Sequence, residues 1–127
     1  MLDVADVMTP ASDCATVSKD DSVRKIVIEM TRKPLGAACA VSADGKLEGL
    51  VTDGDGRRML QKTFDLDSMK CSDIMTKTPV CAGVDASLGQ AVKLMEARKS
   101  KLSVLPVVDG DGVFKGLVRL HDIYQAQ

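Results

Sequence analysis

The chain has 127 residues, 45% of them hydrophobic and 28% charged, with 17 basic against 18 acidic side chains. These proportions predict a globular body, and a net charge of −1 offers no basic face for DNA or RNA. The apolar runs are too short to cross a membrane, and the acidic start, MLDVADVMTP, is unlike a signal peptide, which favours a cytoplasmic protein.

The four cysteines and the single histidine do not form a metal-binding pattern. Cys14, Cys39, Cys71 and Cys81 contain no CxxC pair, and His121 is the only imidazole. A zinc site needs clustered thiolates and imidazoles at short spacing. We therefore expect reduced thiols that act as small apolar side chains, and no metal.

The first half of the chain predicts a helix followed by two strands. Apolar residues at helical spacing run from Val23 to Met30, and Ser22 stands at the N-cap position. Two short strands follow at about 37–41 and 47–51, joined by the turn SADG. The segment GLVTDGDGRR (49–58) then leads from the second strand into another helix.

The second half repeats the first. DVMTP (6–10) returns as DIMTK (73–77), and GLVTDGD (49–55) returns as GLVRLHD (116–122), both at an offset of 67. The predicted helices match at an offset of 65, where Ser87 opens the second one with a capping box. KTFDLDSMK (62–70) would connect the halves, and strands are predicted at about 103–108 and 113–118.

The string DGDG occurs twice and has a different predicted role in each place. Under the repeat alignment the copy at 109–112 matches SADG, so it is a hairpin turn. The copy at 53–56 opens a helix instead. Neither copy is a calcium loop, because Arg57 or Val113 stands where the fifth loop position needs an oxygen ligand.

These elements predict an α+β fold made of two β-α-β-β-α repeats, residues 1–65 and 66–127, related by a pseudo-twofold axis. One repeat alone would leave an apolar sheet face exposed, so the two should close on each other as a single body.

The MT motif at the start of each half and the GLV segment before each last helix resemble a tandem cystathionine-β-synthase (CBS) domain pair. LGAACAV, EGLVTDGDGRR and the closing LHDI are similar to the CBS pair at the C-terminus of bacterial arabinose-5-phosphate isomerases. The resemblance implies a regulatory part of a larger enzyme. Its sugar-isomerase (SIS) domain, outside this chain, would interconvert ribulose 5-phosphate and arabinose 5-phosphate for lipopolysaccharide synthesis.

The resemblance also implies a ligand site between the repeats. Thr52 takes the position that contacts phosphate, and Asp55 the one that binds ribose hydroxyls. Alternatively, Thr52 or Asp53 is a plain N-cap, and Asp55 only complements the dipole of the first helical turn. In the second copy Arg119 replaces the threonine while Asp122 remains. Arg119 could bind phosphate, or pair with Asp122 and close the site. Further residues expected in the first cleft are Thr16, Val17, Gly36, Ala37 and Ala38. The small residues among them leave room for a flat base, but a tightly packed core would use them equally well. Arg57 and Arg58 could reach a phosphate or a carboxylate of the attached domain, or they could be exposed helix charges.

Two functions are compatible with this reading. The first is a sensor that binds an adenine nucleotide or a CMP-linked sugar and controls the attached SIS domain, with no required cofactor. The alternative is a structural module that joins isomerase subunits without a physiological ligand. Either form is expected to dimerise through its helices. The chain has no GxSxG, and His121 has no neighbouring nucleophile, so we expect no catalysis by this chain alone.

Overall fold

The computed structural model describes residues 2–62, 65–97 and 101–126. In the first half the elements are α1 Val4–Val7, β1 Thr9–Pro10, a 3₁₀ turn Ala11–Asp13, β2 Ala15–Val17, α2 Val23–Arg32, β3 Ala37–Val41, β4 Leu47–Thr52 and α3 Asp53–Lys62. In the second half they are α4 Cys71–Ile74, β5 Ala82–Gly83, α5 Leu88–Glu96, β6 Val104–Val108, β7 Phe114–Arg119 and α6 Leu120–Gln125.

The order β2-α2-β3-β4-α3 and its copy β5-α5-β6-β7-α6 confirm the predicted α+β fold of two β-α-β-β-α repeats. Ser22 and Ser87 cap α2 and α5 as expected, and Gln90 completes the second capping box. The second DGDG forms the turn between β6 and β7, while the first opens α3. The predicted 62–70 connection falls partly outside the described residues, since 63 and 64 are not among them.

A pseudo-twofold axis passes between the two hairpins. Lys46 and Val113, which are equivalent residues at the 67-residue offset, form an antiparallel bridge with each other. Around it the Leu47 amide donates to the Gly112 carbonyl at 3.1 Å, and the Phe114 amide donates to the Gly45 carbonyl at 2.9 Å. Equivalent backbone segments therefore meet across the axis.

Each repeat sends its MT segment to the sheet of the other. Strand β1 pairs with β7, so the second sheet has the order β1-β7-β6-β5, whereas the first is β2-β3-β4. In the other direction, the second MT segment lies on β4: the Thr76 amide donates to the Leu50 carbonyl at 2.8 Å, and the Leu50 amide donates to the Thr76 carbonyl at 3.0 Å. The two repeats are thus fastened by backbone hydrogen bonds as well as by apolar packing.

Strand alternation divides the apolar residues into a central layer and two outer layers. On β3, Ala37 and Cys39 face the layer between the sheets, whereas Ala38 and Ala40 face the layer beneath α2. Phe114 of β7 packs into the central layer. Alanine and cysteine on β3 let the two sheets approach closely.

Burial keeps the thiols in their protonated form. Cys14 and Cys71 are buried, which raises the pKa of each thiol to about 11, and burial also raises the pKa of Cys39. Among the described residues no cluster of histidine, cysteine, aspartate or glutamate could hold a metal ion. No helix in the described ranges is long and apolar enough to cross a bilayer.

Candidate functional site

A cavity of about 780 Å³ lies where β4 runs into α3 and β7 runs into α6. We call it the axis cleft, because most of the residues that line it are equivalent residues of the two repeats at the 67-residue offset. The matched pairs are Leu35 and Leu102, Gly36 and Ser103, Thr52 and Arg119, Asp53 and Leu120, Gly54 and His121, and Arg57 and Tyr124.

The same backbone contact positions both halves of the cleft. The Asp53 amide donates to the Gly36 carbonyl at 3.1 Å, and the Leu120 amide donates to the Ser103 carbonyl at 2.9 Å. These bonds join the start of the last helix in each repeat to the residue before the repeat's first hairpin strand. The two walls are therefore alike in backbone and differ in side chains.

In the first repeat, Thr52 and Asp55 cap the start of α3. Asp55 Oδ2 accepts from the Thr52 amide at 2.9 Å and from the Thr52 hydroxyl at 3.0 Å, while Thr52 Oγ1 accepts from the Asp55 amide at 3.3 Å. The other carboxylate oxygen, Oδ1, accepts from the Arg58 guanidinium. The capping role that the sequence left open is thus present in the structure.

In the second repeat, Arg119 forms a two-pronged ion pair with Asp122. Arg119 Nε donates to Asp122 Oδ2 at 2.9 Å, and Nη2 donates to Oδ1 at 2.8 Å. The hydrogen bonds from Arg119 hold the pKa of the Asp122 carboxyl below its usual range, and the same bonds raise the pKa of Arg119. The ion pair is thus one of the two roles expected for Arg119, and phosphate binding by Arg119 stays a prediction.

Other charged side chains in the cleft have no such partner. Arg57 and Lys101 line it, and no ion pair joins either of them to a carboxylate of the described residues. Asp53 also lines the cleft with an exposed side chain. His121 and Tyr124 are exposed at its second wall. The cleft can therefore offer both cations and a carboxylate to a ligand.

The structure brings some of the predicted site residues together and separates others. Gly36, Thr52 and Arg119 line the axis cleft, and Asp55 and Asp122 support it from the first turns of α3 and α6.

The remaining four predicted residues lie elsewhere. Thr16 and Val17 border a different cavity, of about 610 Å³, beside Ser42 and Phe114. Ala37 and Ala38 are 0% exposed, because strand alternation turns one side chain into the central layer and the next into the layer beneath α2. The geometry thus gives these four residues no side-chain contact with the axis cleft.

Several lining residues were not identified from the sequence. Lys101, Leu102, Ser103 and Tyr124 lie on the second wall, and sequence reasoning assigned none of them to the site. A usable signal was present, because adding 67 to Leu35, Gly36 and Arg57 gives Leu102, Ser103 and Tyr124.

The paired repeats and the cleft on their axis define the class of this protein, a tandem domain pair. The family model "CBS domain" matches residues 4–62 and again 71–127. The chain therefore belongs to the CBS domain family.

Among curated relatives, the chain is 34% identical over 126 residues to the arabinose 5-phosphate isomerase KdsD of Yersinia pestis and 33% identical to KdsD of Pseudomonas aeruginosa. Each alignment covers 99% of this chain but only 38% of the relative. The chain thus spans little more than a third of the length of the isomerases that it matches.

Solved structures show the same fold. CBSX2 in complex with AMP superposes with a TM-score of 0.82 at 25% identity, covering 99% of this chain and 96% of that one. The CBS domain pair of protein MJ0100, in complex with 5′-methylthioadenosine and S-adenosyl-L-methionine, has a TM-score of 0.86 at 21% identity and covers 99% and 95%.

Proposed function

We propose that this chain is a regulatory module that binds a nucleotide or nucleotide-sugar in the axis cleft and thereby controls an attached arabinose-5-phosphate isomerase domain. The attached SIS domain lies outside this chain and would carry the catalytic residues, so the chain alone is not expected to turn over substrate. The module would work in the cytoplasm, in keeping with its four free thiols.

The observation that carries the proposal is a pair of cations in a cavity between the repeats that no ion pair engages among the described residues. Arg57 comes from one wall and Lys101 from the other, so an anion between them would contact both repeats. Both side chains are exposed and can turn toward a ligand, and a phosphate accepts charge-assisted hydrogen bonds from each of them. The complexes of CBSX2 with AMP and of MJ0100 with two adenosine compounds support ligand binding by this fold.

Regulation requires more than binding. A ligand can change the activity of the attached domain only if it prefers one arrangement of the two domains over another. The exchanged MT segments offer a physical route, because β1 lies on β7, and β7 ends at Arg119 in the cleft. A ligand that alters the Arg119–Asp122 pair would act on the strand that holds the N-terminal segment.

The test is a thermal-shift screen of this chain against AMP, ADP, ATP, CMP and the CMP-linked octulosonate sugar at millimolar concentration. A ligand present at about 100 times its Kd stabilises the folded state by about 2.7 kcal/mol, which raises Tm by several degrees. Arg57→Gln and Lys101→Gln should each reduce that rise. Lys93→Gln, an exposed change on α5 away from the cleft, should leave it intact. A screen in which no compound raises Tm would contradict the sensor.

A structural role is the second candidate, and exposed apolar side chains on the helices favour it. Val27 and Ile28 on α2 are 40% and 50% exposed, and Leu60 on α3 is 43% exposed. Apolar groups in such positions are often covered by a partner, so a homodimer through these helices is part of the proposal. Ile28→Glu should shift the mass measured by light scattering from dimer to monomer. A chain that stays monomeric at high concentration would contradict this role.

A further inference from the structure

A second cavity opens at the end of the first sheet that lies away from the axis cleft. Strand β3 begins beside Gly36, which lines the axis cleft, and ends at Val41, which lines this cavity. The cavity measures about 610 Å³, and it continues into a neighbouring cavity of about 460 Å³, because Ser18, Val41 and Ser42 line both. We call the two together the strand-end groove.

The strand-end groove lies at the carboxyl ends of two parallel strands. Strands β2 and β3 are parallel neighbours that end at Val17 and Val41, and α2 connects them. In such a β-α-β unit, the crevice beyond the carboxyl ends of the strands is a common place for a small ligand. The first two amides of α2 already donate to carbonyls of the 66–69 segment. Side chains, rather than the end of the helix, would therefore bind a ligand here.

A charged pair and two hydroxyls in the groove keep capacity for a ligand. Lys25 Nζ lies 3.4 Å from Asp21 Oδ2, which also accepts from the Ser18 amide at 2.8 Å. The ammonium carries three donors, and Asp21 Oδ1 accepts no hydrogen bond from the described residues. The side chains of Ser12 and Thr16 also line the groove, and within the described ranges no hydrogen bond engages either hydroxyl.

The charged pair belongs to the first repeat alone. At the 65-residue offset that relates α2 to α5, Asp21 and Lys25 are matched by Ala86 and Gln90. Helix α5 forms with alanine and glutamine at these positions, so the fold of a repeat does not require the pair. The groove therefore offers one such site per chain.

We propose that the strand-end groove binds a sugar phosphate of pentose size. Lys25 donates charge-assisted hydrogen bonds to the phosphate, while Asp21 Oδ1 and the Thr16 hydroxyl bind the sugar hydroxyls. A nucleotide fits less well, because Phe114, the aromatic residue that lines the groove, is only 5% exposed and has no free face for a base. The choice of a pentose rests on the proposed function, since the attached isomerase domain would act on pentose phosphates.

The experiment is calorimetric titration of the chain with arabinose 5-phosphate, arabinose and inorganic phosphate. Wild type should bind one arabinose 5-phosphate per chain, roughly tenfold or more tightly than it binds either of the other two. Lys25→Gln removes the charge and Thr16→Val the hydroxyl with little change of shape, and each should weaken binding by roughly fivefold to tenfold. Arg57→Gln in the axis cleft and Lys93→Gln on α5 should bind the sugar phosphate as wild type does.

The outcomes separate this site from the nucleotide sensor. If arabinose 5-phosphate does not bind, if inorganic phosphate binds equally well, or if either Lys25→Gln or Thr16→Val binds like wild type, the strand-end site is refuted. Loss of binding in Arg57→Gln would refute it too, by moving the sugar phosphate to the axis cleft. None of these results changes the thermal-shift response to nucleotides, on which the sensor depends. Melting curves without ligand show that each variant is folded.

Discussion

Gly116 lies so close to Thr9 that a Cβ at position 116 would stand 2.3 Å from the Thr9 carbonyl oxygen. The equivalent approach in the other repeat places a Cβ at Gly49 only 2.4 Å from the Met75 sulfur. Both contacts occur where an MT segment lies on the last strand of the opposite repeat. The absence of a side chain at these two positions is what allows the repeats to exchange segments.

Gly116→Ala is therefore expected to destabilise the fold. The new methyl group meets backbone rather than a movable side chain, so β1 must shift away from β7, at a cost of about 1–3 kcal/mol in the free energy of unfolding. Urea unfolding followed by circular dichroism measures this. Gly110→Ala is the control, because a Cβ at the exposed hairpin turn has no atom within 4 Å. Equal stability of the two variants would show that the exchanged segment contributes little.

The Arg119–Asp122 pair predicts a specific dependence of stability on pH. The folded-state pKa of Asp122 is lowered by Arg119, so the pair adds stability above the unfolded-state pKa of about 3.9 and loses it as the pH falls through the lowered value. Wild type should therefore be more stable than Asp122→Asn above about pH 5, with the difference disappearing in stronger acid. Urea unfolding across this range measures it, and Arg119→Gln should behave like Asp122→Asn. A difference that is constant with pH would rule out the pair as its cause.

Most of the fold could be predicted from the internal repeat, because the 67-residue offset between matching motifs is visible in the sequence. Ser22 and Ser87 were identified as caps because a cap depends only on its own helix. The exchange of MT segments was not anticipated. Thr9 and Gly116 are far apart in sequence, and neither segment contains a signal that shows which strand it pairs with.

The candidate site was harder to predict, because competing partners decide what each charged side chain does. The sequence shows that Arg58 follows Asp55 by three residues, but the ion pair is established only by geometry. The sequence also leaves Ala37 and Ala38 undecided, because small residues at these positions could either line the cleft or fill the core. Both side chains are fully buried between the layers, so both residues belong to the core.

The Thr52 hydroxyl should contribute measurably to stability through its bonds with Asp55. Thr52→Ala removes the group that accepts from the Asp55 amide and donates to its carboxylate, and the loss of such a cap costs about 1 kcal/mol. Thr52→Ser retains the hydroxyl and is the matched control. Chemical unfolding of the three proteins gives the comparison. If serine and alanine destabilise equally, the methyl group of Thr52 matters and the hydroxyl does not.

Gly56 offers the opposite case, a glycine that the fold does not require. It lies inside α3, its φ is not in the positive region, and a Cβ at this position would have no atom within 4 Å. Alanine restricts the unfolded chain and favours the helix, so Gly56→Ala should stabilise the protein by about 0.5–1 kcal/mol and raise Tm by a few degrees. Differential scanning calorimetry measures the change, with Gly116→Ala as the control that should lower Tm. Gly56 does not line the axis cleft, so nucleotide binding should be unaffected by this change. A Tm that falls in Gly56→Ala would mean that another surface covers this face of α3, such as a second copy of the chain.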